Sequence, residues 1–379
     1  MSERGEARPF VDYYAEHDIS PVRQDIRDLE RHFERRASLY RLLGLGPLAV
    51  RGRRVLEFGP GSGHNALFTA RLGPAYYELV DANPRGLAET AATLSGQYGE
   101  TLAFTVVDSL VEDYRAEEPF DLVLAENLIP FQRHPSAFAQ AIARSVAPEG
   151  MLVVTCIDAV SHLSEVARRL VARRLAPPDL PLGERVAALR PYFAPHVATL
   201  AAMSRSLDDW ILDNITHPLI GTTFSIADAL AALDGEFDIV GSSPSFMTEW
   251  RWYKELFGEA RAYNTRATAA YAANAINFLD YRITMPPHDP AIGREIGTTC
   301  DEVYRVMQAI EAGSAIDPVP LFARLAGLVR PLSPLTAESI EEIVSTLSSP
   351  AVEASPALGF ASFFGRGTQY VSFARRVSV

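Results

Sequence analysis

The sequence predicts an α/β fold: a doubly wound, mostly parallel sheet with large helical insertions and an N-terminal helical segment. Three observations support this. Short apolar runs alternate five times with amphipathic segments, a glycine-rich loop follows the first run, and two long helical stretches interrupt the alternation. Strand and helix that alternate in this way form βαβ units with right-handed crossovers, which gives a parallel sheet covered by helices on both faces.

The expected strands are short runs rich in Val, Leu and aromatic residues, as buried parallel strands require. They are residues 54–58, 76–81, 103–107, 120–125 and 151–156. In the helices expected between them, apolar residues recur at helical spacing after a proline or a polar cap. These helices are 64–72, 84–97 and 135–147.

The second half of the chain departs from this alternation. A helix at 225–233 and a strand at 236–242 resume it, a long helix is expected at 262–282, and a last strand is expected at 368–376. The sheet is therefore expected to be completed only by that last strand. The domains predicted are an N-terminal helical cap (1–50), an α/β core (51–158), a helical insertion (159–224), a core helix and strand (225–246), a helical substrate or cap region (247–364) and a C-terminal strand (365–379).

Composition limits the functional classes. The 379 residues carry a formal net charge of −12, which repels a phosphate backbone, so nucleic acid is not expected as a partner. Cys156 and Cys300 stand in no metal-ligand spacing, so neither a metal site nor a disulfide framework is expected. No apolar stretch is long enough for a membrane-spanning helix, and the start lacks a signal sequence. We expect a cytoplasmic protein with a small-molecule substrate and no membrane partner. A homodimer is compatible with the sequence.

The glycine loop is the motif that carries chemistry. Gly59, Gly61 and Gly63 lie between a strand and a helix, where side chains would block the approach of the backbone to a ligand and where backbone amides point at that ligand. The dinucleotide fingerprint would require glycine at position 64, which is His64. No Gly-Lys-Ser/Thr follows the loop, which excludes a P-loop. A tight turn without a ligand is the alternative.

With the acidic residue Glu57 two positions before Gly59, this loop resembles the first motif of class I S-adenosylmethionine-dependent methyltransferases. The resemblance covers about residues 54–156 and extends through Asp81, Asp108 and Asn127, which follow the second, third and fourth strands. It implies S-adenosylmethionine as the cofactor. The residues that it assigns to the cofactor are Glu57, Gly59, Gly61, Gly63, Asp81, Asn83, Asp108, Ser109 and Glu126.

Within this assignment, Glu57 and the loop amides would hold the methionine part, Asp81 the ribose and Asp108 the adenine amino group. One carboxylate can bridge two adjacent ribose hydroxyls, and Asp81 stands 22 residues after Gly59, as a ribose-binding acid should. Glu126 is expected either beside the sulfonium or in an ion pair with an Arg or Lys.

The substrate is expected at the carboxyl ends of the fourth and fifth strands and in the insertions. As general bases we consider His134, His162 and His217, because a neutral histidine accepts a proton near pH 7. A surface or structural histidine is the favoured alternative for each. The residues expected to bind the substrate are Asn127, Trp210, Asn214, Trp252, Tyr253 and Arg366, the last at the tip of an expected hairpin.

The leading segment has apolar residues at helical spacing, from Ile26 through Phe33 to Leu43, which predicts a helix packed by one face. In many enzymes of the family that this sequence resembles, a leading helix covers the cofactor. This arrangement would bring Tyr13, Tyr14 and His17 either close to a ligand or into plain packing.

These features together predict a methyltransferase for an oxygen of a small polar metabolite: a sugar, a carboxylate or a natural-product intermediate. An N-methyltransferase or an aminopropyl transferase on the same fold is an alternative, and so is a non-catalytic interaction module. Two residues separate Asn127 from the single Pro130, unlike the Asn/Asp-Pro-Pro-Tyr/Phe motif of amide and nucleobase N-methyltransferases, and this favours oxygen.

Overall fold

The computed structural model describes residues 26–201, 203 and 205–377 and divides them into two compact units. Unit 1 contains the described residues up to Cys156, Ile220–Thr265 and those from Gln369 onward. Unit 2 contains Ile157–Leu219 and Arg266–Thr368. Tyr13, Tyr14 and His17 lie outside the described residues.

Unit 1 is built on a twisted sheet. Its strands are β1 Arg54–Phe58, β2 Tyr76–Asp81, β3 Phe104–Asp108, β4 Phe120–Ala125, β5 Val146–Cys156, β6 Phe237–Ser243 and β7 Gln369–Arg375. In the described part of the chain they form one seven-stranded sheet in the order β3-β2-β1-β4-β5-β7-β6. The first five strands pair in parallel, and β7 runs antiparallel to both of its neighbours. The prediction of a mostly parallel sheet is confirmed, and β7 lies between β5 and β6.

Five helices of unit 1 pack around this sheet. They are α1 Leu29–Leu42, α2 Ala66–Arg71, α3 Pro84–Tyr98, α4 Pro135–Ala143 and α8 Ile226–Leu233. Phe33 and Tyr40 of α1 and Phe68 of α2 are buried in one apolar cluster with strand residues such as Tyr77 and Leu124. The predicted apolar face of the leading helix is therefore confirmed.

Unit 2 is helical, as expected of the two insertions. Its helices are α5 Leu163–Leu175, α6 Leu182–Ala198, α7 Leu207–Ile211, most of α9 Tyr263–Ala273, α10 Ala275–Leu279, α11 Pro290–Glu311, α12 Val319–Val329, α13 Pro334–Ser348 and α14 Leu358–Ser362. A π-helical turn, Leu212–Thr216, follows α7.

A fully buried arginine stands in the core of unit 2. Arg168 makes five hydrogen bonds: from Nε to His196 Nδ1 at 3.1 Å, from Nη1 to the carbonyl of Ser164, and from Nη2 to the carbonyls of Phe360, Ala361 and Phe363. Its guanidinium also stacks on the Phe364 ring at 3.7 Å from the centroid. This side chain joins three separate stretches of the unit.

Three sequence expectations were wrong in detail. The helix expected at 135–147 ends at Ala143, because β5 begins at Val146 and pairs there with Phe120. The helix expected at 262–282 is broken at Asn274. No hairpin surrounds Arg366 in the described chain, since residues 358–362 form α14 where a second strand would be needed.

Neither a membrane span nor a metal cluster is found in the described residues. No helix there has the length and apolar character needed to cross a membrane. No group of three or more His, Cys, Asp or Glu side chains in that part could hold a metal ion. Cys156 and Cys300 are both free and buried.

Candidate cofactor site and active site

The glycine loop turns sharply at the carboxyl end of β1. Gly59, Gly61 and Gly63 have φ angles of +67°, +59° and +77°, in the left-handed region that favours glycine. A Cβ atom on Gly63 would lie 2.9 Å from the Cα atom of Thr90, so α3 packs directly on the loop. The Thr90 hydroxyl donates to the Gly61 carbonyl at 2.9 Å, and the Thr93 hydroxyl to the Ser62 carbonyl at 3.1 Å. Helix α3 therefore fixes the shape of the loop.

Asp81 and Asp108 stand side by side at the carboxyl ends of β2 and β3, where they are paired in register. Asp81 Oδ1 accepts a hydrogen bond from the backbone N–H of Asn83 at 2.9 Å. Burial and the neighbouring Asp108 raise the pKa of Asp81, and bonds from backbone N–H groups, including that of Gly61, oppose the rise. The predicted ribose and adenine ligands are thus adjacent, and Asp81 also lies next to the glycine loop.

The side chains of Asn83 and Ser109 form local hydrogen bonds with the backbone. The Asn83 side chain caps α3 by accepting from the backbone N–H groups of Arg85 and Gly86. The Ser109 hydroxyl donates to the Leu110 carbonyl, while its backbone N–H bonds the Asp81 carbonyl. Contact of either side chain with the cofactor stays a prediction.

Two buried carboxylates share the face of the sheet that α1 covers. Glu57 is 4% exposed and Glu126 is 8% exposed. Arg36 of α1 binds Glu126 through both terminal nitrogens, at 2.8 Å and 2.5 Å. Of the two alternatives for Glu126, an ion pair is therefore observed. Asn65 donates to the same carboxylate at 3.2 Å, and the Tyr77 hydroxyl donates to Glu57.

Arg36 and Asn65 were not among the predicted site residues. Arg36 stands three residues after Phe33 and four before Tyr40, which places it on the buried face of α1. A charged residue at a core-facing helical position was the signal that could have found it. Asn65 had no comparable signal, because its role depends on β4, 61 residues further along the chain.

The site fits a nucleoside that carries an amino-acid tail. Asn65 Oδ1 is buried and has no hydrogen-bond partner among the described residues, and it lies on the same amide that bonds Glu126. An acceptor beside a carboxylate suits an ammonium group. The adjacent acids Asp81 and Asp108 suit the hydroxyl and amino donors of a nucleoside.

Comparison with known proteins decides the family. A family model described as a methyltransferase domain matches residues 29–201. Trans-aconitate 2-methyltransferase of Methylobacterium nodulans is 32% identical over 187 residues, which cover 48% of this chain and 67% of that protein. This chain belongs to the class I S-adenosylmethionine-dependent methyltransferases. Its cofactor is S-adenosylmethionine, and it is an enzyme of methyl transfer.

Two further proteins are similar to this methyltransferase. The ubiquinone biosynthesis O-methyltransferase of Neisseria meningitidis serogroup C is 28% identical over 217 residues, which cover 56% of this chain and 81% of that protein. The structure of PKMT2 from Rickettsia typhi in complex with AdoHcy is 15% identical, with a TM-score of 0.44 over 64% of this chain. This chain spans 48% of the length of PKMT2.

The three candidate bases of the methyltransferase lie in different surroundings. His134 is exposed and begins α4 in unit 1. His162 begins α5 in unit 2, where burial and then the charge of Arg169 lower its pKa to about 3. Burial and Arg169 likewise lower the pKa of His217 to about 4. A base is most effective when its pKa is near the working pH, so the last two are weak bases.

The predicted substrate residues of unit 1 are exposed. Asn127 has a φ of 54° and follows β4, and its backbone N–H donates to the Thr155 hydroxyl at 2.7 Å. Trp252 is 59% exposed and Tyr253 is 70% exposed. Lys254 Nζ lies 5.0 Å from the centroid of the Trp252 ring. The side chains of Asn127, Trp252 and Tyr253 are therefore all exposed at the surface of unit 1.

The predicted substrate residues of unit 2 make contacts within that unit. Trp210 is 4% exposed and packs against Phe193 and Phe364, so it is a core residue of the unit. Asn214 lies in the π-helical turn and donates to the Trp210 carbonyl. Arg366 donates to the carbonyls of Asn277 and Ile283, which occupies the guanidinium that was expected to bind an anion.

Proposed function

We propose that this methyltransferase transfers a methyl group to an oxygen of a small polar metabolite, and that the oxygen belongs to a carboxylate. The observation that carries the proposal is the burial of His162 and His217 close to the charge of Arg169, which lowers their pKa values to about 3 and about 4. Neither imidazole is suited to take a proton from a hydroxyl near pH 7. A carboxylate is already ionised at that pH and needs no base.

The relatives are consistent with this proposal. One is named for trans-aconitate, the anion of a carboxylic acid, and the other is named an O-methyltransferase. Methyl transfer is an in-line displacement, so an ionised acceptor requires mainly correct positioning beside the methyl donor.

Backbone strain at the end of β4 supports an acceptor site there. Asn127 and Phe131 have φ angles of 54° and 69°, and a left-handed conformation is unusual for a phenylalanine. The Phe131 N–H donates to the Thr222 carbonyl at 2.8 Å, and the Thr222 N–H donates to the Gln132 carbonyl at 3.2 Å. Such strained positions concentrate at functional sites, which favours Asn127 as a contact of the acceptor.

The acceptor class can be tested by product chemistry. The enzyme is incubated with methyl-labelled S-adenosylmethionine and a panel of small di- and tricarboxylates, sugars, phenols and amines. We expect turnover with a carboxylate and a product that releases labelled methanol in mild alkali, as a methyl ester does. A product stable to alkali, such as an ether or an N-methyl compound, would refute the carboxylate.

The pH profile gives a second test on the same enzyme. At saturating cofactor, kcat for a carboxylate should be flat from about pH 6.5 to 8.5, because the acceptor stays ionised throughout. His134→Ala should leave kcat on that acceptor unchanged. A tenfold rise per pH unit, or a large loss in the variant, would instead indicate a base and a hydroxyl acceptor.

A further inference from the structure

Glu57 and Glu126 are neighbours by the geometry of the sheet. Glu57 in β1 is in register with Leu124 in β4, and Glu126 is two residues beyond Leu124. Side chains two residues apart on a strand point to the same face. Both carboxylates therefore belong to one buried cluster on the α1 side of the sheet, at the base of the glycine loop.

This cluster holds more negative than positive charge. Arg36 gives both of its terminal nitrogens to Glu126. In the described residues Glu57 forms no ion pair, and its hydrogen bond comes from the neutral Tyr77 hydroxyl. The cluster thus has one guanidinium for two buried carboxylates. Burial of a charge without a counter-charge is costly.

Four titratable or charged groups interact with Glu57: Tyr77 of β2, Glu126 after β4, and Arg36 and Tyr40 of α1. Tyr370 of β7 interacts in turn with Arg36. Burial and then the negative charge of Glu126 raise the pKa of Glu57 to about 7. The Tyr77 hydroxyl and Arg36 act in the opposite direction. Burial raises the pKa of Tyr40 to about 12, so this hydroxyl stays neutral.

We propose that Glu57 carries a proton in the cofactor-free enzyme and that the α-ammonium group of the cofactor displaces it. The proton leaves a carboxyl oxygen of Glu57 for the solvent, and the ammonium keeps its own three hydrogens and supplies the missing positive charge. Binding of the methyl donor is then coupled to proton release. The proposal concerns the amino-acid tail alone and is independent of the methyl acceptor.

A direct consequence is that cofactor affinity depends on pH. An ammonium that must displace a proton binds more weakly where that proton is held more firmly. The dissociation constant should therefore rise about tenfold for each pH unit below about 6 and level off above about 8. A site with a permanently ionised Glu57 would show no such dependence.

Isothermal titration calorimetry with S-adenosylhomocysteine measures the released proton without turnover. The titration is run in buffers of different ionisation enthalpy, and the slope of the observed heat gives the number of protons. We expect nearly one proton at pH 6, about half at pH 7 and about a tenth at pH 8. Methylthioadenosine, which has the nucleoside but no ammonium group, should release none.

Variants assign the proton to its residue. Glu57→Gln should abolish proton release at pH 6, whereas Glu78→Gln, the matched change on β2, should keep it. Glu78 accepts from the hydroxyls of Tyr76 and Tyr114 and is not part of the cluster around Glu57. Tyr77→Phe keeps the carboxylate but removes the hydroxyl that lowers its pKa, so proton release at pH 8 should increase.

The proposal is overturned if the wild-type enzyme binds S-adenosylhomocysteine without proton release at pH 6. It is also overturned if Glu57→Gln releases as much as the wild type, or if methylthioadenosine releases an equal amount. Should Glu57→Gln fail to fold, an unchanged release at pH 8 in Tyr77→Phe would overturn it.

Discussion

The two units bury their arginines in opposite ways. In unit 1, Arg36 faces a carboxylate. Burial acts to lower the pKa of Arg36, but the charge and hydrogen bonds of Glu126, together with Tyr40 and Tyr370, outweigh it and the pKa is raised. In unit 2, Arg168 donates to four carbonyls and an imidazole, and burial lowers its pKa to about 10. Unit 1 therefore holds charges that a ligand can rebalance, whereas unit 2 uses a buried cation to tie its own segments together.

The largest expected effect is that of Arg36→Met. It leaves Glu126 buried without its cation, and we expect a loss of about 4 kcal/mol in the free energy of unfolding at pH 7.5, measured by urea denaturation. The loss should be smaller at pH 5.5, because a lower pH favours the neutral form of the acid, which carries no uncompensated buried charge. Arg36→Met with Glu126→Gln should recover most of the stability, and equal losses in the single and double variants would contradict the ion-pair account.

Arg168→Met is expected to cost about 3 kcal/mol, because several buried acceptors lose their donor at once. This loss should shrink less at lower pH than that of Arg36→Met, since Glu165, the carboxylate beside Arg168, keeps the Ser164 hydroxyl and the charge of Arg169. Urea denaturation at pH 7.5 and 5.5 compares the two variants directly. A loss at Arg168 that disappears at pH 5.5 would show that the two units are not different in this respect.

Asp81→Ala tests unit 1 without disturbing its core. Loss of a charged acceptor for the ribose hydroxyls should weaken cofactor binding about 100-fold, or about 2.7 kcal/mol, while the fold stays intact. Titration calorimetry with S-adenosylhomocysteine measures the affinity. Asp113→Ala, an exposed acid between β3 and β4, is the control and should bind normally. Unchanged affinity in Asp81→Ala would remove the ribose assignment.

The smallest effect concerns His196, the partner of Arg168. Burial and then Arg168 lower its pKa to about 2, so the unfolded chain binds a proton below pH 6.5 that the folded unit does not. Unit 2 should lose about 1 kcal/mol from this histidine between pH 7.5 and 5.5. His196→Asn keeps an acceptor for Arg168 and should flatten the dependence by that amount.

Trp210 gives the probe for this measurement. It is the buried tryptophan of unit 2, while Trp250 and Trp252 are exposed in unit 1. In a Trp250→Phe, Trp252→Phe background, its fluorescence reports the unfolding of unit 2 alone. An identical pH slope with and without His196→Asn would contradict the buried neutral imidazole.

The strands could be predicted because buried parallel strands are continuous apolar runs. Those at Arg54–Phe58, Tyr76–Asp81 and Phe120–Ala125 have the predicted bounds. The long helix at 262–282 could not be predicted in full. The Asn274 side chain donates to the Ala270 carbonyl within the helix, and the His288 N–H, from outside the helix, donates to the Ala273 carbonyl. Together these two hydrogen bonds end the helix.

The cofactor site was predictable where it follows strands and unpredictable where helices supply it. Glu57, Asp81 and Asp108 each end or nearly end a strand, and a strand end has a fixed place in a parallel sheet. The Arg36–Glu126 pair joins residues 90 positions apart, and only tertiary packing brings them together. Local periodicity carries no information about such a pair.

The position of β7 has a consequence for biosynthesis. This strand lies between β5 and β6, and in the described sheet β6 pairs with β7 alone. Proteins emerge from the ribosome N-terminus first, so β6 has no partner and β5 keeps an open edge until residues 369–375 have been made. Pairing over such sequence distances is slow and leaves strand edges open to aggregation. Chaperone demand during synthesis should therefore be set by this last strand, and nascent chains stalled before residue 369 should be the aggregating species.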